Sequence, residues 1–193
     1  MHLELVTPPA TEPLSLAEAK LHCRVDVTDD DAWFTDAIAA ARRAAETYAD
    51  RAFVTQTWRQ TWDAFPAACS GAPLLLAKNP LASVTSLKYI DTQGAEQTLD
   101  ALLYTVDTFA EPARIVPAYG QSWPATRAVP NAVTVQYVAG VADASVDPRV
   151  KMAVRMLVAH WYENRETVAV GSITKEIEFS FKNLLAQIWN GAL

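Results

Sequence analysis

The hydrophobic period of this chain changes twice, and those two changes set its fold class. Phe34, Ile38, Ala41, Ala45 and Tyr48 recur at helical spacing, so residues 29–50 read as one long helix with a single apolar stripe. After Phe53 the texture shifts to short stretches rich in Thr, Val and Trp: VTQTWRQTW, PLLLA, SVTSLKYI, YTVD, ARIVPA and AVTVQYVAG. These read as strands, and turn signals such as DTQG, AYGQSWP and VPNA separate them as in a compact antiparallel sheet or small barrel. Helical spacing returns after Asp147, where Val150, Ala153, Val154, Leu157, Val158, Trp161 and Tyr162 form a wide apolar face. Helices, then strands, then helices predict an α+β fold. It is a helical frame, residues 1–52 and 146–193, with N-terminal helices packed on a C-terminal one. Residues 53–145 form an inserted antiparallel β subdomain, all within one domain of 193 residues.

Polar residues punctuate the helices. Ser15 and Glu18 have the spacing of a capping box, in which each side chain satisfies an amide of the first turn. Thr28 precedes three consecutive aspartates and is read as the cap of the long helix, with the carboxylates at the positive end of its dipole. Asp147 followed by Pro148 is the third helix start, one residue capping and the other preorganised for the first turn. The stretch SITKEIEFSF reads as looser chain, and NLLAQIWNGAL as a short terminal helix.

Composition excludes several classes. The net charge of −6, with no run of Lys or Arg, argues against a nucleic-acid binder. No apolar run is long enough to cross a bilayer, and the first residues show neither a basic nor an apolar leader region. Cys23 and Cys69 form no C-x-x-C and predict two reduced thiols. A chain this long buries roughly 70% of its unfolded surface and folds without a metal or disulfide. The charge is uneven: residues 1–52 carry net −5, residues 53–145 net −2 and residues 146–193 net +1.

Motifs for chemistry are lacking. The six glycines make no G-x-G-x-x-G and no Walker loop, and no G-x-S-x-G is present. Read as a calcium loop from Asp29, the chain has Phe34 where glycine is required and Ala40 where glutamate is required. The segment HWYENRE, His160 to Glu166, is the densest cluster of functional side chains. On a helix His160 and Glu163 share a face, which would allow a small metal-dependent enzyme, but a dinuclear carboxylate site needs further carboxylates from other helices. The sequence therefore predicts no catalytic residue, no metal ligand and no cofactor. Trp161, Tyr162, Glu163, Arg165 and Glu166 instead have the composition of a contact surface, aromatic with charges around it. Ile188 and Trp189, in the C-terminal segment, are candidates for the same role, on a stretch able to order itself on a partner. The expectation is that helix 148–164 packs on helix 29–50, whose alanines would also permit close approach of a neighbouring subunit.

An ordered set of motifs resembles the head–tail connector (adaptor, or head-completion) proteins of long-tailed bacteriophages and prophages. They are LSLAEAKLHCRVD before an acidic helix start, AARRAAETYADRAFVTQTW leading to FP, PLASVTSLKYID, YGQSWPATR, NAVTVQYVAG and HWYENRETVAVG, which together span nearly the whole chain. The resemblance implies a non-enzymatic virion protein of the neck, assembled in the bacterial host cytoplasm. It implies a homo-oligomeric ring, a dodecamer, between the portal protein and the stopper or tail-completion protein. DNA would pass through the ring without sequence-specific binding, and no membrane is involved. A tail-completion or stopper protein of the same neck is the alternative within the virion.

Overall fold

A computed structural model describes residues 1–66, 72–142, 145–164 and 173–188, with backbone alone for 173–179. Two compact units are built from interleaved pieces of chain: a β unit, residues 1–10 with 55–141, and a helical unit, residues 11–54 with 142–191.

The β unit contains two antiparallel sheets. Strands β1 (His2–Thr7), β2 (Gln56–Trp62), β4 (Leu81–Ile90), β5 (Glu96–Thr98) and β8 (Val133–Ala139) form one, in the order β1-β2-β8-β4-β5. Strands β3 (Leu74–Leu75), β6 (Tyr104–Asp107) and β7 (Arg114–Pro117) form the other, in the order β3-β7-β6. β8 is the centre of the larger sheet and shows why: Val133, Val135, Tyr137 and Ala139 alternate inward along it, all buried. The six anticipated strand regions are all present. β1 and β5 are additional, so residues 2–7 pair with β2 and belong to the β unit.

Polar side chains hold the centre of this unit. Gln60 on β2 is fully buried, and its amide oxygen accepts from Ala77 N at 2.9 Å and from the Tyr137 hydroxyl at 3.3 Å. Its amide nitrogen donates to the Leu75 carbonyl at 3.2 Å. Asn79, also buried, accepts from Ala113 N at 2.9 Å and donates to the Leu76 carbonyl at 3.4 Å. Segment 75–79 runs beside buried surface without a full ladder of its own, so these two amides supply the bonds its backbone would otherwise lack. Phe65 and Trp123 stack in the same core at 4.7 Å, and the indole nitrogen of Trp123 donates to the Ala72 carbonyl at 3.0 Å.

The helical unit contains α1 (Leu16–Cys23), α2 (Asp31–Ala49), α3 (Pro148–Glu163) and α4 (Ile173–Ala186). α2 packs against the other three. Phe34, Ala37, Ile38, Ala41, Ala45 and Ala49 on α2 and Val150, Ala153, Val154 and Val158 on α3 are buried. The anticipated packing of α3 on α2 is thus present. Ala37, Ala41, Ala45 and Ala49 of α2 are buried in the protomer's own core, while its exposed side carries Ala32 and Ala40 among Thr35, Asp36, Arg43 and Thr47. Tyr48, the last member of the anticipated stripe, is exposed and lies 6.0 Å from the ring of Phe181.

Two further expectations fail. The stretch read as loose chain is helical from Ile173, because Ile173, Ile177, Phe181 and Leu185 are spaced by four; Phe181 and Leu185 are buried. Thr28 does not cap α2. The capping position is Asp30, and the Thr28 carbonyl, rather than its side chain, accepts from Asp31 N at 3.1 Å. Even Asp30 makes no side-chain cap, since its carboxylate accepts from the Tyr162 hydroxyl at 2.9 Å.

Replacing Gln60 by Ala removes one hydrogen bond each from Ala77 N, the Leu75 carbonyl and the Tyr137 hydroxyl, the last of which keeps its bond from Lys78 N, and should cost about 2–4 kcal/mol. Denaturant unfolding of the variant checks this, and a loss below about 1 kcal/mol would show that the amide is not the tie described.

Candidate interaction surface

The C-terminal end of α3 carries the side chains that sequence singled out, and the structure separates their roles. Tyr162 is half-buried, with its ring stacked on Phe34 at 4.8 Å and edge-on to Trp33 at 5.3 Å. With its hydroxyl on Asp30, Tyr162 is engaged inside the helical unit at both ends of its side chain. Trp161 is half-buried and Glu163 exposed. Asn164 closes the helix, its backbone amide donating to the His160 carbonyl at 3.0 Å and its side-chain amide to the same oxygen at 2.9 Å. Arg165, Glu166 and Trp189 lie outside the described residues. Ile188 is half-buried, and its carbonyl accepts from Arg51 at 3.1 Å.

At the other end of the same helix, Asp147 accepts from Arg149 N at 2.8 Å, and the Arg149 guanidinium folds back onto the same carboxylate. Bonding from the Arg149 side chain, opposed by burial, holds the Asp147 carboxyl below the ordinary range. Ser15 and Glu18 form both halves of a capping box, with Glu18 N to Ser15 Oγ at 3.2 Å and Ser15 N to Glu18 Oε2 at 3.0 Å. The free oxygen of Glu18 receives Arg155 of α3 at 2.8 Å. The bond from the Ser15 backbone amide, helped by its hydroxyl and by Arg155, keeps Glu18 below its ordinary value of 4.5. Burial, with the Glu163 charge in support, raises the Cys23 thiol, so this cysteine is poorly suited to nucleophilic work.

Among the described residues, no group of three or more His, Cys, Asp and Glu side chains could hold a metal ion. His160 has the Asn164 side chain as its neighbour, 3.2 Å from Nδ1. No helix among the described residues is long and apolar enough to cross a membrane.

Sequence reading missed one feature of the surface. Leu102, Phe109 and Tyr119 are among the most exposed large apolar residues described, and all three flank or cap the β6–β7 hairpin. Single apolar side chains in turns carry no periodic signal, which is why pattern alone passes over them.

Residues 13–97 match the family described as Phage gp6-like head-tail connector protein, and the connector resemblance read from the sequence stands. No protein of curated function matches the chain. Solved structures with the same fold include a chain in the virion of the native gene transfer agent (GTA) particle. It is 24% identical with a TM-score of 0.78, over 98% of this chain and 95% of that one. A chain in the neck of the empty particle, computed with C6 symmetry, is likewise 24% identical with a TM-score of 0.78, over 97% and 95% of the two chains. A chain in the neck of the native particle, computed with C12 symmetry, gives 24% and 0.72, over 97% and 94%.

Two outcomes follow from the geometry. Tyr162→Phe removes only the bond to Asp30 and should cost about 1–2 kcal/mol, whereas Tyr162→Ala also removes the ring and should cost roughly 3 kcal/mol. Equal losses in denaturant unfolding would mean that the stack contributes nothing. Glu18 has a depressed folded pKa, so its stabilisation is complete above its unfolded value and is lost as pH falls through the folded one. The melting-temperature gap between wild type and Glu18→Ala should therefore be constant above pH 6 and close as pH drops below 4.5. A gap unchanged at pH 3 would refute this role.

Proposed function

We propose that this chain is a structural subunit of the neck of a phage-like particle, without enzymatic activity. In this reading copies form a ring, a dodecamer in the assembled neck, that extends the DNA channel between the portal and the stopper or tail. One observation carries the reading: the fold is shared over 97% of the chain with chains of gene transfer agent necks computed with C6 and C12 symmetry. The connector match over residues 13–97 supports it independently.

The physical properties of the chain suit that work. An acidic subunit, at net −6, does not hold the phosphates that slide past it, so DNA passes without sequence-specific contact. Exposed Glu163 and half-buried Trp161, followed in sequence by Arg165 and Glu166, place an aromatic with mixed charges at one helix end, a composition that favours a subunit or portal contact. Ile188 and Trp189 extend the same role to the C-terminal segment. Tyr162 supports such a contact from behind, by fixing the end of α3 to α2. Assembly takes place in the host cytoplasm before tails join.

Deletion of the gene, followed by electron microscopy of the lysate, tests the assignment. The expected result is DNA-filled or leaking heads beside separate, normal tails. Intact infectious particles would overturn it.

A further inference from the structure

We infer that Arg51 is the positioning residue for the C-terminal contact segment: it fixes the end of α4, and so the place from which Ile188 meets a partner. The inference rests on the contact role proposed above for that segment and names what aims it. α4 is anchored by Phe181 and Leu185, both buried. The next two residues, Ala186 and Gln187, are exposed, so Leu185 is the last fully buried anchor before Ile188. From there hydrogen bonds set the course of the chain. Ile188 N donates to the Leu185 carbonyl at 3.0 Å. Arg51 Nη1 donates to the Ile188 carbonyl at 3.1 Å, across 137 residues of sequence. Arg149 Nη1, 3.4 Å from Gln187 Oε1, adds a longer bond beside it.

A helix end leaves carbonyls without partners and carries partial negative charge, and a cation placed there answers both. The last turn of α4 holds no basic residue of its own, so the cation comes from another element. Arg51 stands on a support built to deliver it. Asp50 ends α2 in the left-handed conformation, at φ 49, and the amides of Asp50 and Arg51 both donate to the Glu46 carbonyl. Immediately after, Ala52, Phe53 and Val54 are buried, and Phe53 N donates to Glu46 Oε1 at 2.8 Å. The half-buried arginine thus projects from a turn fixed on both sides. Arg149 is held in a similar way, its guanidinium pinned by Asp147 at 2.6 Å. A segment presented at one fixed place meets its partner at a lower ordering cost than a frayed one.

Arg51→Met keeps the aliphatic length and removes the charge and the donors. Amide exchange read by mass spectrometry should become roughly tenfold faster over residues 186–188 in this variant, with residues 34–49 unchanged. The melting temperature should fall by less than about 3 degrees. Arg51→Lys, which keeps a cation near the helix end, should restore part of the protection. In particles made from the variant gene, the yield of joined heads and tails should drop roughly tenfold with Arg51→Met, because the contact-ready end is populated that much less. It should recover with Arg51→Lys in step with the protection. Unchanged exchange over 186–188 would overturn the tie to α4. A larger fall in melting temperature would also overturn the inference, by making Arg51 a general support of the core. Faster exchange with joining at the wild-type level would remove the positioning role. The gene deletion separates the two claims. Heads parted from tails by the deletion but joined in Arg51→Met sink only the role of Arg51, whereas intact particles after the deletion sink the neck assignment.

Discussion

One buried guanidinium organises the helical unit. Arg42 is 2% exposed, and it donates to Glu46 at 2.6 Å and to Glu12 at 2.7 and 3.3 Å. Glu46 in turn accepts from Phe53 N at 2.8 Å. One side chain thereby fixes the segment that precedes α1 and, through Glu46, the segment that follows α2. Burial works against the cation, but its bonds to Glu12 and the charges of Glu46 and Glu12 outweigh that, and its pKa is raised. An apolar substitute of the same shape can be as stable as such a node, while removing one partner strands a charge in the interior. The alanines of α2 fit the same constraint, since small residues at 37, 41, 45 and 49 leave room for the arginine and for neighbouring helices to approach.

The β unit solves the equivalent problem without charge. Gln60 and Asn79 bond to a short segment that has no long strand of its own, and neither carries a desolvation penalty on the scale of an ion. The two units thus use different means to the same end, each tying irregular chain to a regular element through one or two interior polar side chains.

Where period decides structure, the sequence was legible. The stripe on α2, the inward alternation of β8 and the face of α3 could be read because each repeats along one element. Arg42 and Gln60 could not, because Glu12, which joins Glu46 on the arginine, lies 30 residues away and the partners of Gln60 lie 15 or more. β1 and β5 were missed for a related reason: a six-residue and a three-residue strand exist only by virtue of the strand beside each. The candidate surface divides in the same way. The cluster at the end of α3 is visible as composition, yet the bond from Tyr162 to Asp30, which turns the tyrosine inward and engages the carboxylate at the capping position of α2, is encoded by no local pattern. The exposed residues of the β6–β7 hairpin carry no periodicity.

The interleaving of the two units bears on how the chain is made. β2 must wait for β8, which follows about seventy residues later, and β1 waits for β2. α2 likewise emerges from the ribosome long before α3, the helix that covers it. The β core waits for β8 at residues 133–139 and the helical core for α3 and α4 beyond it, so folding is dominated by non-local pairing and is slow. During that interval β2 has one edge without its neighbour and α2 lacks the cover of α3, both targets for chaperones. The chain would then be released competent all at once, after translation, rather than piecemeal along the nascent chain.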